Sequence, residues 1–268
     1  ALVRELKEEL GIQITQYRPL IQLTHHYPER SVLLNVYYIT AWQGEPSGCE
    51  GQPIAWVEPG HLSDYAMPVA DKPIVRALQL PDTYLITPVH VNSTERLLHD
   101  IQRALDNGIR LLQFRMFDIM DSVKDALLQE IQKRCVQAGA RLLVNADADW
   151  VQQHEVAGLH LNSRQLHTYA QRPAGIEWLA ASCHSAVDLQ QAQAIGVDFA
   201  VLSPVLATPS HPDAEPLGWE NFAALVQQAN MPVYALGGMR PDLLGQAWRS
   251  GGQGVAGIRG LWPVQDMG

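Results

Sequence analysis

MPVYALGGMRPDLLGQAWRSGGQGVAGIRG, residues 231–260, holds two short apolar runs, each closed by glycines, on either side of a helix-like stretch. Runs of that length with turn residues after them read as strands buried on both faces. The same beat runs back through YLITP (84–88), LLQFRM (111–116), RLLVNA (141–146), GLHLN (158–162), WLAASCH (178–184) and FAVLSPV (199–205). Between them lie helix-like stretches such as STERLLHDIQRALDNG, DSVKDALLQEIQKRCVQAG and SAVDLQQAQAIG. Eight strands alternating with helices predict an α/β fold, a (β/α)8 TIM barrel over residues 83–264. A doubly wound open sheet is the alternative, but no GxGxxG follows the first strand. The third-to-fourth and fourth-to-fifth connections are short for full helices, and the eighth helix is expected to be missing or vestigial.

Residues 1–80 have another rhythm. A helix comes first, then strand-like runs, VLLNVYYITAW (32–42) the clearest, that predict antiparallel pairing. QGEPSGCEGQP (43–53) is a turn-rich loop, DKPIVRAL (71–78) a short helix, and LPDT (80–83) a linker. Three scattered cysteines without CxxC spacing argue against a disulfide framework or a zinc site and predict a reducing cytoplasm. A net charge of −9 disfavours binding along a nucleic-acid polymer but leaves small phosphorylated substrates open. No apolar run reaches membrane-span length, so no membrane partner is expected. The oligomeric state is left open.

In RELKEELGI (4–12), Glu5, Glu8 and Glu9 stand at i, i+3 and i+4, so a helix turns all three to one face. Such a cluster is either a solvated, mixed-charge surface or a site for Mg2+, which prefers carboxylate oxygens. The stretch resembles the second half of the Nudix box, G-x5-E-x7-R-E-U-x-E-E-x-G-U: Arg4, Glu5, Leu6, Glu8, Glu9, Gly11 and Ile12 all fit. HYPERSVLLNVYYITAWQGEPSGCEGQPIAWV and MPVADKPIVRAL look like the strands and closing helix of the MutT-type 8-oxo-dGTP pyrophosphatases. The resemblance implies a Nudix α/β/α sandwich over residues 1–80. It implies Glu5, Glu8, Glu9 and Glu50 as catalytic metal ligands for Mg2+, with Arg4 orienting a carboxylate. Asp71 falls where these enzymes carry a base-reading Asn; an Asp offers acceptors only, which leaves the base preference open. The implied substrate is an oxidised purine nucleoside triphosphate, cleaved to monophosphate and pyrophosphate. The box's first Gly and Glu would precede residue 1, so the segment is expected to be a truncated, inactive hydrolase belonging to a longer, active parent.

At the barrel's mouth, LGGM (Gly237, Gly238) and Gly257–Gly260 supply loops whose N–H groups can approach a phosphate, unless those glycines merely permit tight turns. Gln113, Arg115, Asn145, Ser182, His184, Thr208, Ser210 and His211 stand at strand ends. From YLITP to GIRGL, with QFR, VN, SCHS, ATPSH and LGGM in order, the segment resembles thiamine phosphate synthase and the TenI-type thiazole tautomerase. The resemblance implies pyrimidine or pyrophosphate binding at Gln113, Arg115, Asn145 and Ser182. It implies thiazole-phosphate binding at Thr208, Ser210, Gly237, Gly238 and around Ile258, with His184 at the tautomerase's catalytic position. The synthase's Lys after the Arg is Phe117 here, its two metal-binding Asp positions are Ala146 and Gln165, and the Lys of its Thr-x-Thr-Lys loop is His211. Ionising a pyrophosphate without those groups forgoes the largest electrostatic aid. Three readings follow: an atypical synthase, a metal-free tautomerase, or a non-catalytic phosphate-ligand module. The residue chemistry favours the latter two.

Overall fold

The computed structural model describes residues 2–26, 29–89, 93–115, 121–208 and 214–262. Eight short parallel strands close into a barrel: β3 (Thr83–Ile86), β4 (Leu111–Phe114), β5 (Arg141–Val144), β6 (Gly158–Leu161), β7 (Trp178–Cys183), β8 (Phe199–Leu202), β9 (Val233–Ala235) and β10 (Gly254–Gly257), with β10 pairing back onto β3. They coincide with the eight apolar runs. Each is buried because its alternate residues belong to different cores. On β4, Leu111 joins Tyr84, Leu143, Phe199 and Tyr234 in the barrel's interior, while Leu112 and Phe114 join the layer beneath the helices. The Tyr84, Phe199 and Tyr234 rings meet at centroid distances of 5.4 to 5.8 Å. Burying one such ring contributes about 1.5–3 kcal/mol.

The outer helices are α3 (Thr94–Asp106), α4 (Asp121–Gln137), α5 (Ala148–Gln153), α6 (Ser163–Leu166), α7 (Ala186–Ala194), α8 (Gly218–Val226) and α9 (Leu244–Arg249). Helix α3 shows the logic. Ser93 caps it by accepting the Arg96 N–H, and Leu97, Ile101, Ala104 and Leu105 recur at helical spacing on the buried face. The short connections appear as α5, of 6 residues, and α6, of 4. Residues 263–268, where an eighth helix was in question, lie outside the described residues, as do Phe117, Ser210 and His211.

Ahead of the barrel, α1 (Leu2–Leu10) leads into an antiparallel pair, β1 (Gln13–His26) and β2 (Ser31–Gln43), and α2 (Lys72–Gln79) packs Ala77, Ile74 and Leu78 against Leu20, Ile21 and Leu23 of β1. LPDT is more than a tether. Leu80 is buried, Asp82 takes the Arg18 guanidinium at 2.8 Å, and the Tyr234 hydroxyl donates to the Pro81 carbonyl. Gln253 donates to the carbonyls of Ala77 and Leu80, and Arg18 lies over the rings of Tyr38 and Trp248. The N-terminal elements are thereby seated on the N-terminal end of the barrel, opposite its mouth.

Candidate functional site

Strand alternation, continued past the last apolar layer, puts polar residues at the mouth. Gln113, Asn145, His160 and Ser203 are all buried there. Thr87, one step beyond β3, accepts the Arg115 N–H at 2.7 Å, which fixes the chain as it leaves β4. Arg115, Thr208, Gly237, Gly238 and Ile258 line one pocket of about 200 Å³ together with Ser203, Arg240 and Arg259. Burial pulls the Arg115 pKa down from its ordinary value, and its range still leaves it a cation.

The glycines are obligatory here. Gly237 has φ +98° and Gly238 +68°, and a Cβ on Gly237 would lie 2.9 Å from the Pro204 Cα. A side chain would be strained and would also push the β9 loop off the β8 loop, to which it is bonded by Val205 N–H to Leu236 O at 2.8 Å.

His184, exposed at the end of β7, donates Nδ1–H to the Ser203 carbonyl at 2.8 Å, which leaves Nε2 as the basic nitrogen. Ser182 is bonded to His160 Nε2 at 2.9 Å, and His160 Nδ1 to the Tyr84 hydroxyl at 3.1 Å. Neither His160 nor Tyr84 was singled out in the sequence, although GLHLN turns His160 inward by strand alternation. Asn145 donates to the His160 carbonyl at 2.6 Å.

A divalent ion fits poorly beside Asn145. Gln165 stands there in a closed amide network: its Nε2 donates to Ala146 O and to Asp147 Oδ1, and its Oε1 accepts the Asn162 N–H as half of a capping box. Those donors and acceptors are spent on one another. Asp147 and Asp149 do not repair the loss, since among the described residues no three His, Cys, Asp or Glu side chains are grouped to hold a metal ion.

On the N-terminal side, Glu5, Glu8 and Glu9 lie on α1 and Glu50 in the loop that follows β2, and among the described residues no three His, Cys, Asp or Glu side chains are grouped to hold a metal ion. Arg4 holds Glu5 at 2.5 Å, as the motif implies, while Glu8 and Glu9 are exposed. The 47–52 loop does dock beneath them, with the Cys49 N–H and the Gln52 side chain both donating to the Glu9 carbonyl, but Glu50 itself is exposed. The carboxylate oxygens of Glu5, Glu8, Glu9 and Glu50 are the donors that Mg2+ prefers. Asp71 precedes α2 as its N-cap residue without capping it.

A closed parallel barrel with two glycine-lined loops and an arginine at its mouth belongs to the (β/α)8 class, in which the last two loops frequently grip phosphate. Residues 83–261, most of the chain, match the family model described as thiamine monophosphate synthase, and residues 1–77 match that of the NUDIX domain. The chain belongs to the thiamine monophosphate synthase family and carries a Nudix domain ahead of the barrel. A candidate thiamine-phosphate synthase of Aquifex aeolicus (strain VF5) is 30% identical over 182 residues, covering 68% of this chain and 97% of the relative. A thiamine-phosphate synthase of Syntrophomonas wolfei is 28% identical over 187 residues, 69% and 90% of the two chains. The thiamine phosphate pyrophosphorylase of Pyrococcus furiosus shares the fold, with a TM-score of 0.55 at 19% identity over 71% of this chain and 88% of that one. No helix among the described residues is long and apolar enough to cross a membrane.

Proposed function

We propose that the barrel binds a small thiazole phosphate between the Gly237–Gly238 and Ile258 loops and moves a proton on it without a metal, with His184 as acid and base. The observation that carries this reading is the tautomer of His184. With Nδ1–H held by the Ser203 carbonyl, Nε2 has the lone pair a general base needs. A tautomerisation takes a proton from one ligand atom and returns it to another, so one such group suffices and no leaving group departs. The amide network around Gln165 supports the metal-free part. In calorimetry the thiazole phosphate is expected to bind equally with Mg2+ or EDTA, and the pyrimidine pyrophosphate poorly. Tight, Mg2+-dependent binding of the pyrophosphate would sink this reading in favour of the second one, an active thiamine phosphate synthase. Family membership favours that second reading, as does the presence of Gln113, Arg115, Asn145 and Ser182 at one mouth. A His184→Ala variant that binds the phosphate but does not tautomerise supports the first; unchanged tautomerisation leaves only the non-catalytic phosphate-ligand module.

For residues 1–77 we propose an oxidised purine nucleoside triphosphate as the substrate class, supported by the carboxylate helix with its Arg4–Glu5 pair and by the Glu50 loop, whose Gln52 side chain donates to the Glu9 carbonyl. Pyrophosphate release from 8-oxo-dGTP and from dGTP, measured with Mg2+ in the longest natural form of the chain, tests it; equal turnover of the two counts against it. Both partners are small molecules rather than a nucleic-acid polymer. Three free cysteines support a reducing cytoplasm as the setting.

A further inference from the structure

Tyr84, His160 and Ser182 form one hydrogen-bonded chain from the middle of the barrel to its mouth. Tyr84 and His160 are 0% and 1% exposed, and Ser182 is half-buried. The Tyr84 hydroxyl lies 3.1 Å from His160 Nδ1, and His160 Nε2 lies 2.9 Å from Ser182 Oγ.

Two polarities satisfy those distances, and they mean opposite chemistry. If Nδ1 carried the imidazole proton, it would donate to Tyr84, and Nε2 would accept from Ser182, a serine–histidine pair of the nucleophilic kind. The Tyr84 O–H would then need another acceptor, and among the described residues His160 is its one hydrogen-bond partner. An orphaned buried donor forfeits its whole solvation, whereas an unused lone pair on a hydroxyl costs little. The other polarity wastes nothing: Tyr84 donates to Nδ1, Nε2–H donates to Ser182 Oγ, and the Ser182 proton is left for the mouth.

We infer that Tyr84 and His160 are positioning residues that fix Ser182 as a hydrogen-bond donor to an anionic oxygen of the ligand, and that Ser182 is not a nucleophile. Burial, and after it the nearby Arg115 charge, push the His160 pKa down to about 3, so the imidazole stays neutral wherever the protein is folded and active. The charged or titratable neighbours of the chain are Arg115 on one side and Tyr234, whose ring packs on Tyr84, on the other. Burial also raises the pKa of both tyrosines, so none of these groups changes charge near neutrality. Ser182 stands at the same mouth as the Arg115–Ile258 pocket but outside its lining, and for its ligand readout the inference rests on the reading of that mouth as a phosphate site.

Nitrogen-15 NMR of labelled histidine in the whole chain reads the polarity without any ligand. One neutral imidazole, protonated at Nε2 and unchanged between pH 5 and 8, is expected; protonation at Nδ1 overturns the inference. A fluorophosphonate probe is expected to leave Ser182 unlabelled, and an adduct there overturns it as well. For inorganic phosphate, Ser182→Ala and His160→Leu should each weaken binding about tenfold, the equivalent of one lost charge-assisted hydrogen bond. His160→Gln, whose amide also accepts on one side and donates on the other, should remain within about threefold of the parent. Equal losses for Gln and Leu would reduce His160 to a packing residue. Failure of the parent itself to bind the phosphate refutes the phosphate-site reading and leaves the polarity to the NMR result.

Discussion

Asp188 accepts the backbone N–H of His184 at 2.8 Å from the first turn of α7, while the His184 ring donates forward to the Ser203 carbonyl. The same carboxylate takes the Ser185 hydroxyl at 3.0 Å and His167 at 2.7 Å, and Ser185 caps the helix in return. The base proposed for the barrel is therefore aimed from both its backbone and its ring.

Removing that carboxylate in Asp188→Ala should cost about 1 kcal/mol of stability through the hydrogen bonds lost from the His184 amide and the Ser185 hydroxyl, and should lower turnover more than phosphate affinity. Denaturation and steady-state kinetics check the two parts. Burial alone would raise the Asp188 pKa, but the hydrogen bonds from His167, the His184 amide and Ser185 together hold it below the usual carboxylate value. A carboxylate depressed in the folded state stabilises fully above its unfolded pKa of about 4 and loses that contribution as pH falls through the lower folded value. Urea midpoints should thus be level from pH 7 to 5 and drop below about pH 4, less steeply in the alanine variant.

Asp198, whose side chain is 9% exposed, holds Arg76 of α2 at 2.9 Å, Arg172 at 2.7 Å and the Leu179 N–H at 2.7 Å. Asp198→Ala strands three donors at the base of the barrel and should cost about 3 kcal/mol, as breaking a buried pair does. Arg76→Ala leaves Asp198 with two partners and should cost less. Equal losses would show that the seam between α2 and the barrel rests on that single pair.

Gly237→Ala places a methyl 2.9 Å from the Pro204 Cα in a left-handed conformation. The strain should cost about 1–3 kcal/mol and weaken phosphate binding roughly tenfold or more, the two being one displacement of the same loop. Calorimetry with thiazole phosphate checks it; undiminished binding would remove the β9 loop from the site.

The three thiols should separate cleanly. Burial pushes the Cys135 pKa up to about 12 and raises that of Cys183 further, while Cys49 is exposed. A maleimide at pH 7.5 should modify one cysteine rapidly in the folded protein and the others only after denaturation, because the thiolate is the reactive form. Peptide mapping identifies which.

Legibility in the sequence followed locality. The eight apolar runs became the eight strands, and the glycines of LGGM and GIRG lie together at the mouth, because turn chemistry and strand periodicity act over a few residues. Arg115 and Thr208, strand-end residues in the sequence, meet Ile258, which the family resemblance implies, in one pocket. His160 passed unremarked because its role depends on Tyr84, 76 positions away in the chain, and on Ser182, 22 away. Helical spacing grouped Glu5, Glu8 and Glu9, but spacing fixes only where the Cβ atoms project.

What the amino-acid order settled by itself was the parallel barrel, its two short connections and the carboxylate helix ahead of it, all consequences of backbone periodicity and turn residues. The tertiary structure decided the rest: LPDT as a packed seam, Gln165 closing an amide network beside Asn145, and the direction of the hydrogen bonds through His160. A burial or a donor–acceptor choice depends on groups that only closure of the barrel brings within 3 Å of each other, as it does Ser182 Oγ and His160 Nε2.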